Sequence, residues 1–274
     1  MLGKLLKHEL HATGRIMLPS LAALVLLAGM ANLSYQGIRY VESDFINIML
    51  AFVIGLFFLG LFAAGVLSVI IMVYRFYKNI LGNEGYLMLT LPVNAHGLIW
   101  SKLLVSLLWV FITFLVCTGL FMMTVFHFAE LGFKDFLNWL PDLRESLYWF
   151  YERTPVTPLH MTLYIAEALL LAVIAGIVQC LHFYSAMAVG HSFTKNKVLL
   201  SIVFYIVIGF GLQMLTTVFW ILPATTGFLA IDTVDQLIGG LHRAFLYFCV
   251  VELILGFILY LLTYLPLEKG LNLN

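Results

Sequence analysis

Residues 45–74 read FINIMLAFVIGLFFLGLFAAGVLSVIIMVY, thirty consecutive positions without a charged side chain. An α-helix rises ~1.5 Å per residue, so about 20 apolar residues cross a hydrocarbon core ~30 Å thick. This run exceeds a single crossing and predicts a helix that tilts or projects beyond the lipid. Five further runs meet the same criterion, at 16–35, 98–126, 159–189, 198–222 and 244–265. Each is continuously apolar rather than alternating at period two, the pattern a transmembrane β-barrel would need. The whole chain agrees, because 63% of its 274 residues are hydrophobic and 10% charged, against about 45–50% and about 25% in a soluble domain. The sequence thus predicts an all-α polytopic membrane protein, with six transmembrane helices in one domain spanning 1–274.

The formal net charge of zero conceals a sidedness. With the N-terminus inside, the inner segments hold Lys4, Lys7, Arg15, Arg75, Lys78, Lys102, Lys195, Lys197 and Lys269, against Glu9, Glu84 and Glu268. The outer segments hold Arg39, Lys134, Arg144, Arg153 and Arg243 against a larger number of acids. An excess of Lys and Arg marks the cytoplasmic side, so both termini are predicted to be cytoplasmic. The first apolar run is as long as a span, and its small-residue exit, Gly29-Met30-Ala31, lies inside it, so it reads as a retained helix rather than a leader. Cys117, Cys180 and Cys249 all fall within spans and suggest no disulfide framework.

Three segments outside the spans carry helical patterns. In residues 1–15, Leu2, Leu5, Leu6, Leu10 and Thr13 share a face opposite Lys4, Lys7, His8 and His11. That predicts an amphipathic helix lying in the inner headgroup layer, set off from the first span by a bend at Gly14 and Pro19. In the outer loop, 127–158, Pro141-Asp142 and Glu145 resemble a helix start, after which Leu143, Leu147, Phe150 and Tyr151 align. Its many aromatic residues read as interface anchors. Between spans five and six, Phe228, Ile231, Val234, Ile238 and Leu241 fall at helical spacing, interrupted by Gly239-Gly240.

Enzymatic chemistry finds little support. His8-Glu9-Leu10-His11 is one residue short of H-E-x-x-H, so its imidazoles would not share a helix face, and no metal site is predicted. His182 and His191 with Glu167 lack the acidic or serine motifs of a protease. His182 reads instead as a hydrogen-bonded residue between helices. No G-x-x-x-x-G-K-[ST] loop cradles phosphate, so the chain is read as neither an ATPase nor a holder of any cofactor.

The segment YRFYKNILGNEGYLMLTLPV, residues 74–93, sits between spans two and three on the predicted inner side. Arg75 and Lys78 mark where the second helix leaves the lipid. Gly82 and Gly85 permit a break, and 84–89 can form a short helix that ends before Pro92, with Asn94 placed to cap the next span. Such a helix, carrying Tyr86, Leu87, Met88 and Leu89, is too apolar to stand alone and suits a groove on a partner. Glu84-Gly85, Leu87, Leu89, Thr90-Leu91-Pro92 and Lys102, ten positions after Pro92, resemble the loop of the permease subunits of bacterial ABC-2-type ATP-binding cassette exporters. The layout is also similar: an N-terminal amphipathic helix, six spans, inside termini and an outer helix between spans five and six. The largest outer loop, however, follows span three rather than span five.

The resemblance implies an exporter subunit in the bacterial plasma membrane that moves a peptide, drug or lipid-like substrate. ATP and Mg would be bound by separate cytoplasmic ATPase subunits. Asn83, Glu84, Gly85, Tyr86, Leu87, Met88 and Leu89 would form the coupling helix in an inner loop, 75–97, and a second permease, identical or related, would complete the transporter. Membrane lipid is the other implied partner, with no role for nucleic acid. The loop HSFTKNK, 191–197, reads as a basic topogenic loop and a lesser ATPase contact at most. A membrane scaffold or sensor docking a signalling partner through the same loop is the alternative, distinguished by the lack of an ATPase partner. A secondary carrier would show an inverted repeat, and none is evident.

Glu167 and Glu252 are the only carboxylates inside the predicted spans. Each lies eight residues from the outer end of its run, at ~1.5 Å per residue about 12 Å deep. A carboxylate at that depth is unfavourable against lipid, so both are candidates for a translocation path. The competing role is structural, through neighbours such as Gln213 or Thr217, and Glu167 leans toward it.

Overall fold

The computed structural model describes residues 2–82, 95–129, 133–153, 156–193, 195–225 and 234–268. They form seven α-helices: α1 (Leu2–Tyr40), α2 (Asp44–Phe76), α3 (Ala95–Phe128), α4 (Phe133–Arg153), α5 (Pro158–Gly190), α6 (Lys197–Thr225) and α7 (Val234–Glu268). A π-turn, Tyr77–Leu81, continues α2. Among the described residues there is no strand. Six helices, all but α4, include stretches long and apolar enough to cross a membrane. Their outward surfaces are rich in large apolar side chains, as on α6 at Ile202, Ile206, Phe210, Met214 and Val218. That surface is stable against lipid and not against water, which makes the chain a multi-pass membrane protein.

Three helix boundaries differ from the sequence expectation. Residues 2–15 are not a separate helix: they are the first turns of α1, which passes through Gly14 and contains Pro19. In α4 the helix begins at Phe133, ahead of Pro141, which lies inside it. Gly239-Gly240 lies inside α7 and does not interrupt it. Glycine costs a helix interior only ~1 kcal/mol, and a membrane-embedded helix can satisfy the groups proline leaves free through local neighbours. The Ser20 hydroxyl donates to the Met17 carbonyl beside Pro19 at 2.8 Å.

The chain divides into two compact units. The first comprises Met1–Arg75 and Leu104–Leu143. Its interior holds Met17, Leu21, Ile71, Val105 and Trp109, with a second cluster of Ala28, Ala31 and Phe57. The alanines let backbones approach closely, a common device where lipid removes the hydrophobic drive for helix association. Several polar groups are paired within this unit. Trp109 Nε1–H donates to Thr13 Oγ1 at 2.7 Å, Thr13 donates to the Glu9 carbonyl, and Arg75 meets the Glu9 carboxylate at 2.9 Å. Arg75, read from sequence as a marker of the helix exit, is thus an ion-pair partner.

The second unit comprises Phe76–Leu103 and Arg144–Asn274. Here α5 is the central helix, packed along both α7 and α6, while α6 and α7 touch each other little. Their contacts include the Tyr247 hydroxyl donating to the Phe219 carbonyl at 3.0 Å and Trp220 against Phe248. At the other end of the span, Gly190 brings α5 onto α6. A Cβ there would meet Ser201 Oγ, N and Cα at 2.4–2.6 Å, so only glycine permits this approach. The π-turn is anchored in the same unit by Phe76 stacked on Tyr184 at 4.0 Å and by Tyr77 edge-on to His191.

Candidate functional site

A cavity of about 340 Å³ is lined from α5, α6 and α7, where α6 and α7 both pack on α5 and touch each other little. Val178, Leu212 and Leu255 are among its apolar lining, and Gln179, His182, Tyr205, Gln213, Thr216 and Glu252 are its polar lining. Helical spacing accounts for the set: Ala175, Val178, Gln179 and His182 fall on one face of α5, while Tyr205, Gly209, Leu212, Gln213 and Thr216 fall on one face of α6. Glu252 and Leu255 share a face of α7.

Several of these groups are fixed. His182 Nε2 donates to the Tyr205 carbonyl at 3.0 Å, and its ring stacks on the Tyr205 ring at 4.3 Å. Thr216 Oγ1 donates to the Leu212 carbonyl at 3.0 Å. His182 therefore bridges helices through a hydrogen bond, as its sequence position predicts. Glu252 differs: among the described residues, no donor reaches its carboxylate. Gln213, expected as a possible neighbour, lines the same cavity without bonding to it.

Glu167 occupies a different environment. His242 Nδ1, on α7, lies 2.9 Å from both Glu167 oxygens. With the carboxylate ionised it can only accept, so Nδ1 carries the proton and Nε2 faces outward as an acceptor. His160 Nδ1 stands 3.1 Å from that Nε2 and completes a carboxylate–imidazole–imidazole chain. Tyr164 stacks on His242 at 4.3 Å and donates its hydroxyl to the Ile238 carbonyl at 3.0 Å. Along α5, Glu167 precedes the first cavity residue, Ala175, by eight positions, about 12 Å at ~1.5 Å each. The two carboxylates therefore occupy separate sites. Neither His160 nor His242 was singled out from sequence. The signal that could have found them is the placement of one histidine at or just ahead of the outer end of each of the two apolar runs that hold a carboxylate, 159–189 and 244–265.

Beyond Gly190, His191 is buried, donates through Nδ1 to the Met187 carbonyl at 2.9 Å and lies 3.2 Å from Ser201 Oγ. Burial pushes its imidazole below the ordinary histidine range, the Met187 hydrogen bond opposes that, and nearby Lys197 adds to it. Asn83, Glu84, Gly85, Tyr86, Leu87, Met88 and Leu89 lie outside the described residues, as do Thr90, Leu91 and Pro92. Lys102, the last position of that motif, is described: it is 3% exposed in α3 and has a partner. A lysine so placed requires compensation, which makes it structurally committed.

No family model, curated protein or solved structure matches this chain.

Proposed function

We propose that this chain is the membrane-spanning subunit of an ATP-driven exporter whose ATPase is a separate cytoplasmic protein. The observation that carries the transport reading is Glu252: a carboxylate without a donor among the described residues, facing a polar cavity among apolar helices. Such a group is unfavourable in hydrocarbon unless water, a proton or a ligand reaches it. The ATP-driven reading is supported by the loop sequence Glu84-Gly85 to Thr90-Leu91-Pro92 with Lys102. In this reading 83–89 is the coupling helix, both termini are cytoplasmic, the membrane is a bacterial plasma membrane, and a second permease completes the complex. ATP must stabilise one packing of the helices more than another, since equal affinity for both shifts nothing.

Copurification from the native host followed by ATPase assay tests the proposal. An ATPase subunit should accompany the wild-type chain, and Leu87→Asp or Glu84→Arg should weaken that association or uncouple hydrolysis while membrane insertion persists. Wild-type coupling in both variants, or recovery of only a signalling partner, would favour the scaffold alternative. The chain purified alone should neither bind nor hydrolyse ATP.

A further inference from the structure

From the chemistry of the cavity between α5, α6 and α7, we infer that it is a binding site for a small organic cation, a protonated primary amine held by Glu252. The inference rests on the proposed path for its location, and its evidence is the lining itself. Of the described lining residues, one is a carboxylate and none is lysine or arginine. Its other polar groups can supply acceptors, the Gln179 and Gln213 carbonyl oxygens, the Thr216 Oγ1 lone pairs and Nδ1 of a neutral His182 whose Nε2–H is spent on Tyr205, while the two amide NH2 groups and the Tyr205 hydroxyl can donate but carry no charge. Several acceptors and one negative charge, without a cation from the protein, define a complement with several N–H donors and a positive charge. A primary ammonium has both.

An inorganic cation fits less well. It takes several oxygen ligands at short range, whereas the wall also carries Val178, Leu212 and Leu255 and the cavity volume is about 340 Å³. That volume falls within the range of small-molecule sites, ~300–1,000 Å³. The apolar wall suits a hydrocarbon body attached to the ammonium, and the Tyr205–His182 stack gives that wall a rigid aromatic section. The Glu167 site offers no comparable open carboxylate, because His242 Nδ1 already lies 2.9 Å from both of its oxygens.

The test is equilibrium binding to the full-length chain in phosphatidylcholine nanodiscs, with empty discs measuring partition into lipid. The probes are phenethylammonium, its quaternary trimethyl analogue, neutral phenylpropanol and anionic phenylpropionate. Phenethylammonium should bind saturably at one site per chain, at least about tenfold more tightly than the neutral and anionic probes, with the quaternary analogue weaker because it has no N–H. Glu252→Gln should weaken it by at least about tenfold, and Cys117→Ser should not change it. Thr216→Leu, which narrows the cavity from α6, should also weaken it and serves if Glu252→Gln fails to assemble. Equal binding of all four probes, or amine binding indifferent to both cavity variants, would overturn the inference. ATP-driven transport of another cargo with no amine binding would remove the amine class while leaving the exporter. Saturable amine binding in a chain that never engages an ATPase would do the reverse.

Discussion

Glu167 and Glu252 are the same residue type on neighbouring helices, yet their surroundings assign them opposite work. The Glu167 carboxylate accepts from His242, whose other ring nitrogen meets His160, so its oxygens are engaged within the fold. Glu252 faces a cavity and, among the described residues, has no donor. The first arrangement ties α5 to α7, and the second leaves a charge available to something else. The equal depth expected from their runs does not hold, because Glu167 pairs with His242, ten positions before Glu252 on α7; the hydrogen-bond partners also differ.

The largest effect is expected where both regions depend on one helix. Gly190→Ala places a methyl against Ser201 backbone and side chain, and α5 cannot yield without shifting both sites. A loss of about 3 kcal/mol is expected, read as a lower melting temperature of the purified chain. A melt like that of wild type would mean that α5 and α6 are further apart at this point.

Next in size is Glu167→Leu, which strands the His242 imidazole in a largely buried setting. Losing hydrogen bonds to a charged group there costs about 1–3 kcal/mol, and Glu167→Gln, which keeps a carbonyl acceptor for His242 Nδ1, should recover part of it. If Leu and Gln variants melt together at the wild-type temperature, the imidazole chain contributes no stability and the contrast with Glu252 fails.

Glu252→Gln should change stability by no more than about 0.5 kcal/mol, as for a side chain without a native partner. Its effect should appear in ligand binding or transport instead. A melt lowered as far as that of Glu167→Leu would show that Glu252 is also a structural residue.

The smallest effect concerns pH. The His191 pKa is lowered by burial, so the unfolded chain binds a proton more readily than the folded one. Its contribution is intact above the ordinary histidine value of ~6.5 and is lost progressively as pH falls through the window between that value and the depressed one. His191→Gln should flatten the acid side of the melting profile slightly. An identical profile would leave the acid sensitivity to other groups.

How much of this was legible varies by feature. The six membrane helices follow from composition and run length, because crossing a bilayer demands apolar side chains and internally satisfied backbone over a fixed distance. His182 as a bridge between helices was also legible, since a polar ring in an apolar run needs a partner. Helix ends were less so. Gly14, Pro19, Pro141 and Gly239-Gly240 are interruption signals drawn largely from water-soluble helices, and in this fold each lies inside a helix. The seven residues assigned to the coupling helix rest on sequence resemblance.

The sequence by itself determined a helical, multi-pass membrane protein and narrowed the unusual carboxylates to Glu167 and Glu252, because both conclusions depend only on local chemistry and bilayer thickness. Tertiary structure alone decided which carboxylate is satisfied. His242 reaches Glu167 across 75 positions of chain, and the Glu252 cavity is lined from α5, α6 and α7, where α6 and α7 both pack on α5 and touch each other little. Helical periodicity places a side chain on a face, but what that face meets depends on where distant helices pack, and that decides whether a carboxylate there finds a partner.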